Sequence, residues 1–188
     1  MTNEEELRQL QEIKTGSEDI FDGIILHVKR DTVTLPNGKP AIREVIRHNG
    51  AVCVVPILDN GDVLVERQFR YPVNEVITEI PAGKLDYKGE DIYDAARREL
   101  REETGATAKE LIYLGKLYPT CAYSDEVIHI FVAKGLTFGE RELDEDEFLN
   151  IVTIPFDELL KDIVEGRVPD SKTQSALLRA YYMLHEGK

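Results

Sequence analysis

Gly83-Lys84-Leu85-Asp86-Tyr87-Lys88-Gly89-Glu90 leads into an acidic run that ends Arg97-Arg98-Glu99-Leu100-Arg101-Glu102-Glu103-Thr104-Gly105, and the reading of this stretch decides the fold. The first half has two glycines, mixed charge and Pro81 just ahead, which is loop composition. The second half carries the marks of a helix. Glu90 and Asp91 stand where acids favour a helix start, good helix formers fill the middle, and Gly105 is a C-terminal stop. At about 100° per residue, Ile92, Ala95, Ala96 and Leu100 share the side expected to pack on a core. Glu99 and Glu103 fall in the same sector, with Glu102 at its edge. A solvated charge run would set its acids opposite the apolar stripe. Carboxylates on the inward side need compensation, because an unpaired buried charge is costly. Two forms of it are open at this point. Converging carboxylate oxygens suit Mg²⁺ or Mn²⁺; alternatively Arg97, Arg98 and Arg101 neutralise a partly exposed helix end.

Spacing decides between them. From Glu90, seven residues lead to Arg98-Glu99-Leu100, followed by Glu102-Glu103 and Gly105-Ala106. This order resembles the Nudix hydrolase box: Gly, five residues, Glu, seven residues, then Arg-Glu-aliphatic-x-Glu-Glu-x-Gly-aliphatic. One departure is visible: six residues separate Gly83 from Glu90. The extra residue falls within 86–88 and leaves the helix register intact.

Outward from the box, residues 76–80 predict a short strand feeding Pro81-Ala82-Gly83. The continuous apolar run 51–58 predicts a central strand, which Asp59-Asn60-Gly61-Asp62 turns back as a hairpin into 63–69. Within residues 1–18 a short polar helix is expected, then a loop at Thr15-Gly16-Ser17. Strands at 24–28, 32–35 and 42–46, the last two joined by Pro36-Asn37-Gly38-Lys39, predict a small antiparallel sheet. After the box come strands at 111–117 and 127–133, an acidic loop at 139–147, a strand at 150–154, and helices at 156–165 and 172–185. In the last helix Ala176, Leu177, Ala180, Tyr181 and Leu184 are expected inward. The organisation is an amino-terminal part, 1–48, ahead of a hydrolase domain, 49–188.

Composition limits the function. The chain has 188 residues, 42% hydrophobic and 31% charged, as ordinary soluble proteins do. No apolar run has membrane-spanning length, and Met1-Thr2-Asn3-Glu4-Glu5-Glu6 is the opposite of a basic signal-peptide start, so a cytoplasmic protein is expected. Cys53 and Cys121 both sit in apolar stretches and predict buried thiols. His27, His48, His129 and His185 lack zinc spacing. A net charge of −13 argues against nucleic acid. It also means that a phosphate substrate needs divalent ions between two sets of negative oxygens.

The likeness extends beyond the box. Gln68-Phe69-Arg70-Tyr71, Glu79-Ile80-Pro81-Ala82-Gly83-Lys84, Ser124-Asp125-Glu126 and Glu142-Leu143-Asp144-Glu145-Asp146-Glu147 resemble the ADP-ribose pyrophosphatase branch of the Nudix hydrolases. That resemblance implies an α/β/α sandwich around a mixed β-sheet, an added amino-terminal antiparallel β-sheet, and a homodimer in which that sheet helps build the partner's substrate site. It implies Glu99, Glu103 and the Ala82 carbonyl as metal ligands, with Glu102 sharing an ion. Arg98 would hold Glu90 and brace the loop at Gly83. Arg70, Glu79, Glu126 and Arg43 would contact substrate, and Phe21 is a candidate for stacking on adenine. A glutamate of the acidic loop would activate the attacking water, by position Glu145, with Glu147 second. The implied reaction is Mg²⁺-dependent hydrolysis of ADP-ribose to AMP and ribose 5-phosphate, with Mn²⁺ able to substitute. Thr120-Cys121-Ala122 stands where many relatives have Ser-Pro-Gly, which keeps another nucleoside-diphosphate sugar, such as GDP-mannose or UDP-glucose, open as substrate. A non-catalytic ligand-sensing module fits less well, because such modules usually lose box carboxylates and Glu90, Glu99, Glu102 and Glu103 are all present.

Overall fold

The computed structural model describes residues 3–143 and 147–185 and divides the chain into two units, Met1–His48 with Thr120–Glu126 and Asn49–Pro119 with Val127–Lys188. The first unit holds helix α1 (Asn3–Leu10) and strands β1 (Ile13–Asp22), β2 (His27–Thr34) and β3 (Pro40–Arg47), paired antiparallel in the order β1-β2-β3. The turn between β2 and β3 is the predicted one, with Gly38 at φ 81°, a conformation that favours glycine. Two local expectations fail. Ile24, Ile25 and Leu26 form the exposed turn between β1 and β2 and are not strand, because the Gly23 N–H closes that turn on the Leu26 carbonyl at 2.9 Å. Thr15-Gly16-Ser17 lies inside β1 and is not a loop. Its hydroxyls are used in the sheet: Thr15 donates to the Thr32 carbonyl at 3.1 Å and Ser17 to Asp31 at 2.6 Å.

Among the described residues of this unit only Asp31 and Val33 are buried. Asp31 meets Lys14 and Arg47, each at 2.9 Å, and these partners with Ser17 hold its carboxyl below the usual range. Arg47 also reaches Asp125 at 3.1 Å, whose other oxygen accepts the His48 N–H at 2.8 Å. The segment Thr120–Glu126 is thereby tied to the end of β3. Cys121, on that segment, is exposed; an apolar sequence context did not bury it.

The second unit contains β4 (Ala51–Pro56), β5 (Val63–Arg70), β6 (Glu75–Glu79), β7 (Ala82–Lys84), α2 (Ile92–Thr104), β8 (Ala106–Leu117), β9 (Ile128–Phe138), β10 (Leu149–Ile154), α3 (Phe156–Val164) and α4 (Ser171–His185). One sheet is mixed, ordered β7-β4-β9-β8 with β4 parallel to β9; the other is antiparallel, β10-β5-β6. The expected β4–β5 hairpin does not form a ladder. Its turn is present, with Gly61 at φ 89°, but only the bridge Ile57–Val63 joins the two strands. The reason is that β7 and β9 already occupy both edges of β4.

Alternation along β4 builds two cores. Val52 and Val54 face α2, packing with Ala95, Ala96, Leu100 and Phe131. Ala51, Cys53 and Val55 face the opposite way, toward Phe156 and Leu159 of α3 and Leu177 of α4. A fully buried Val or Leu contributes roughly 1.5–3 kcal/mol, so neither face of this strand is dispensable. Helices on both faces of a mixed sheet make the expected α/β/α sandwich. In α4, Ala176, Leu177 and Ala180 are buried, whereas Tyr181 is exposed and Leu184 half-buried. Helix α2 begins where its sequence says. Asp91 accepts from the Tyr93 and Asp94 N–H groups at 2.9 and 3.1 Å, and Gly105 closes the other end at φ 71°. Among the described residues no helix is long and apolar enough to cross a membrane.

Candidate active site

The inward face of α2 carries acids as well as methyl groups. Glu99 and Glu103 are 9% and 4% exposed, and Glu102 is half-buried, as helix geometry predicts. The loop ahead of the helix lies against them. A Cβ on Gly83 would collide with the Glu99 carboxylate, so glycine lets the backbone and this carboxylate lie together without displacing the side chain. The Ala82 N–H donates to Glu103 Oε2 at 2.9 Å. It is therefore the amide of Ala82 that the structure shows engaging the box acids.

Arg98 gathers the rest. Its Nη1 donates to Glu99 at 2.7 Å and Glu102 at 3.2 Å, while Nη2 donates to the Lys84 carbonyl at 3.3 Å and lies 3.6 Å from both Asp86 and Glu90. The expected Arg98–Glu90 approach is thus present, but the shorter bonds go to the helix acids. Glu90 in turn accepts the Asp86 N–H at 2.7 Å, and Gly89 takes φ 94°, which closes the lengthened loop without disturbing α2.

The three inward carboxyls are not equally compensated. Burial pushes Glu99 up to about 7, even though Arg98 opposes the shift. Glu103 is raised further, first by burial and then by the charges of Glu66 and Glu99; the Ala82 N–H offsets only part of this. No arginine or lysine lies within ion-pair distance of Glu103 among the described residues. Glu66, fully buried on β5, is raised by burial and by Glu79. Among the described residues, neither of its carboxyl oxygens has a hydrogen-bond partner.

Glu79 presents the contrast. Its carboxylate, 2% exposed, receives two hydrogen bonds from Arg70, at 2.7 and 2.8 Å, and another from Lys172. Burial alone would raise its pKa, but Arg70 and Lys172 together hold it below the ordinary value. Lys172 is itself 3.2 Å from Asp170, which also accepts from Thr173, whose hydroxyl meets the Ile80 N–H at 3.0 Å. Glu79 is therefore spent on orienting Arg70, and Arg70 is the partly exposed member of the pair. Sequence reasoning missed both Lys172 and Glu66. Lys172 comes 93 residues after Glu79, and a single acid within a strand has no spacing signature.

The remaining candidates are scattered. In the first unit, Arg43 donates to Glu12 at 2.9 Å, Phe21 is exposed, and Glu126 lies 4.0 Å from His48 Nε2. In the acidic loop, the Glu142 N–H donates to the Glu102 carbonyl at 3.0 Å and its carboxylate lies 3.4 Å from Arg101. Glu147 is half-buried, and its charge is felt at Glu66, Glu99 and Glu103. Asp144, Glu145 and Asp146 lie outside the described residues.

Among the described residues no three acidic, imidazole or thiol groups already converge as a coordination set. The donor chemistry nevertheless fits a hard divalent cation. The groups are carboxylates, Glu66 has two orphaned oxygens, and the glycine cradle keeps Glu99 against the loop backbone.

A NUDIX domain model matches residues 47–172, and a nucleoside diphosphate sugar hydrolase N-terminal domain model matches residues 12–46. The chain is 41% identical over 183 residues to a Bacillus subtilis protein named ADP-ribose pyrophosphatase, covering 96% of this chain and 97% of that one. It is 43% identical over 177 residues to a Bacillus methanolicus protein named methanol dehydrogenase activator, covering 93% of each. A crystal structure of an ADP compounds hydrolase is similar with a TM-score of 0.83, at 28% identity, over 95% of this chain and 97% of that chain.

Proposed function

The chain belongs to the Nudix hydrolase family, and from that premise we propose that it hydrolyses the pyrophosphate bond of ADP-ribose, giving AMP and ribose 5-phosphate. The observation that carries this reading is the burial of Glu99 and Glu103 on one helix face, where Arg98 meets the first, the Ala82 N–H meets the second, and no cation among the described residues pairs with Glu103. Glu99 and Glu103, with the Ala82 carbonyl and Glu102, are the residues that would hold Mg²⁺, or Mn²⁺ in its place. Divalent ions held there would supply the charge neutralisation that a chain of net charge −13 needs to hold a pyrophosphate.

The chain's own groups do the positioning. Arg98 fixes Glu99 and Glu102 on one side and the Lys84 carbonyl on the other, so the helix and the Gly83 loop keep one geometry. Arg70, held by Glu79, presents its guanidinium to the substrate's negative oxygens. Glu145 accepts a proton from the attacking water, with Glu147 second; the influence of Glu147 on the helix acids supports a role for Glu147. Water attacks one phosphorus, the bridging P–O bond breaks, and the two monophosphates leave. Arg43 and Glu126 are assigned to substrate recognition and Phe21 to adenine.

The amino-terminal part, 1–48, is assigned to dimerisation and to the substrate site. Ile20, Phe21, Ile24, Ile25, Leu26 and Ile42 are all exposed there, and this exposed hydrocarbon supports contact with a second copy of the chain. A cytoplasmic homodimer acting on a small nucleotide sugar, with neither nucleic acid nor membrane as partner, accords with the unlinked Cys53 and Cys121 and the acidic surface.

A second substrate reading rests on Thr120-Cys121-Ala122, whose exposed Cys121 replaces a more usual loop. ADP-ribose, GDP-mannose and UDP-glucose assayed in parallel with Mg²⁺ and Mn²⁺ decide between them. The highest kcat/KM on ADP-ribose, with AMP released, is the expected result; a higher value on GDP-mannose or UDP-glucose replaces the substrate.

A further inference from the structure

Glu66 is a buried acid for which the proposed chemistry has no use. It sits in mid-strand on β5, opposite Glu79 of β6 and Ile151 of β10, and none of its surface is exposed. Both its oxygens lack hydrogen-bond partners among the described residues. An unsatisfied buried polar group is costly, and a charged one more so, which means that such an acid requires a counterpart. The nearby cations are engaged elsewhere, since Arg70 and Lys172 both bond to Glu79. The charge that acts most strongly on Glu103 is that of Glu66, ahead of Glu99. The backbone links it to the helix acids as well: its partner Glu79 stands shortly before Ala82, whose N–H donates to Glu103 at 2.9 Å.

We propose that Glu66 supplies a further carboxylate to the divalent-cation centre of Glu99 and Glu103, and that a cation is the counterpart its two oxygens lack. The inference rests on the metal-binding reading above. It makes the centre a clasp between strand β5 and helix α2, where the box alone would confine it to the helix and its loop.

The test is Mn²⁺ binding to the full chain, followed by titration calorimetry and by the EPR signal of free Mn²⁺, with melting temperatures taken in EDTA. Glu66→Gln and Glu66→Leu should melt at or above the wild-type temperature in EDTA, because each removes a desolvated charge. Both should bind Mn²⁺ at least about tenfold more weakly. Glu66→Asp, which keeps the charge but shortens the reach, should weaken binding as well. Wild-type affinity in a folded Glu66→Gln or Glu66→Leu protein overturns the inference, and so does full affinity in Glu66→Asp, which would reduce Glu66 to a distant field. A wild-type chain that takes up no Mn²⁺ instead overturns the metal-binding reading of Glu99 and Glu103 itself.

Discussion

The face of α2 and the amino-terminal sheet break the same rule in opposite senses. On α2, Glu99 and Glu103 are buried beside Ala95, Ala96 and Leu100. In the sheet, Ile24 is 97% exposed and Phe21 57%, while the buried residues described there are Asp31 and Val33. One region hides charge and the other displays hydrocarbon. Asp31 shows that burial of an acid is not itself anomalous, because Ser17, Lys14 and Arg47 satisfy it. What distinguishes Glu103 and Ile24 is that, among the described residues, no cation pairs with the first and nothing covers the second. The difference is one of kind: under the proposed function a small hard cation would compensate the first and a second apolar surface would cover the second.

The largest test of that contrast is Glu103→Gln. Turnover should fall more than about 100-fold, beyond the 10–100-fold typical of residues that only orient ligands. The melting temperature in EDTA should hold or rise. Near-native turnover at saturating Mg²⁺ would remove the acid from the site. The same exchange at Glu79 should act with the opposite sign on stability. Glu79→Gln breaks a buried pair and leaves Lys172 under-compensated, for a loss of about 3 kcal/mol by denaturant unfolding. Equal effects at the two positions would erase the distinction between a paired and an awaiting acid. In the sheet, Ile24→Asp should weaken self-association about tenfold or more, since a buried Ile is worth roughly 1.5–3 kcal/mol. Sedimentation of the variant as an unchanged dimer would leave the exposed turn without a partner.

The smallest effect is graded with pH. Glu99, at about 7, and Glu103 bind protons more tightly in the folded chain than an ordinary carboxyl does. Between the unfolded and folded pKa values the native state therefore holds more protons, and stability falls as pH rises. Relative to Glu103→Gln, the wild-type protein in EDTA should lose stability from about pH 5 to about pH 8, and Mg²⁺ should restore most at the upper end. A difference that stays flat across this range would contradict the burial of these charges.

Helix α2 was legible because everything that shapes it is local: Asp91 and Gly105 as caps, a 3.6-residue stripe, and acids four positions apart on it. The sheets were less so. Residues 24–26 are as apolar as a strand, and only the bond between Gly23 and Leu26 makes them a turn. The chain after β4 was expected to fold back beside it, but whether an edge is free depends on β7 and β9, which arrive later in the sequence. The same limit applies to the site. The box announced Glu99, Glu102 and Glu103, and motifs pointed to Arg70 and Glu79, but nothing in the chain order signals that Lys172 saturates Glu79. Glu66 was invisible for a related reason, since its peculiarity is the lack of partners, a property of three dimensions.

Strand β4 has no wet side. Its side chains are committed alternately to two helical layers, and its backbone is bonded on both edges. The Val54 N–H, moreover, holds the Pro81 carbonyl, so the loop beside the acids is hung from a strand with no free face or edge. Innovation in such an architecture has few places to occur. A new substrate preference has to be written into loops and exposed strands, while the frame that positions the acids tolerates little beyond replacement in kind.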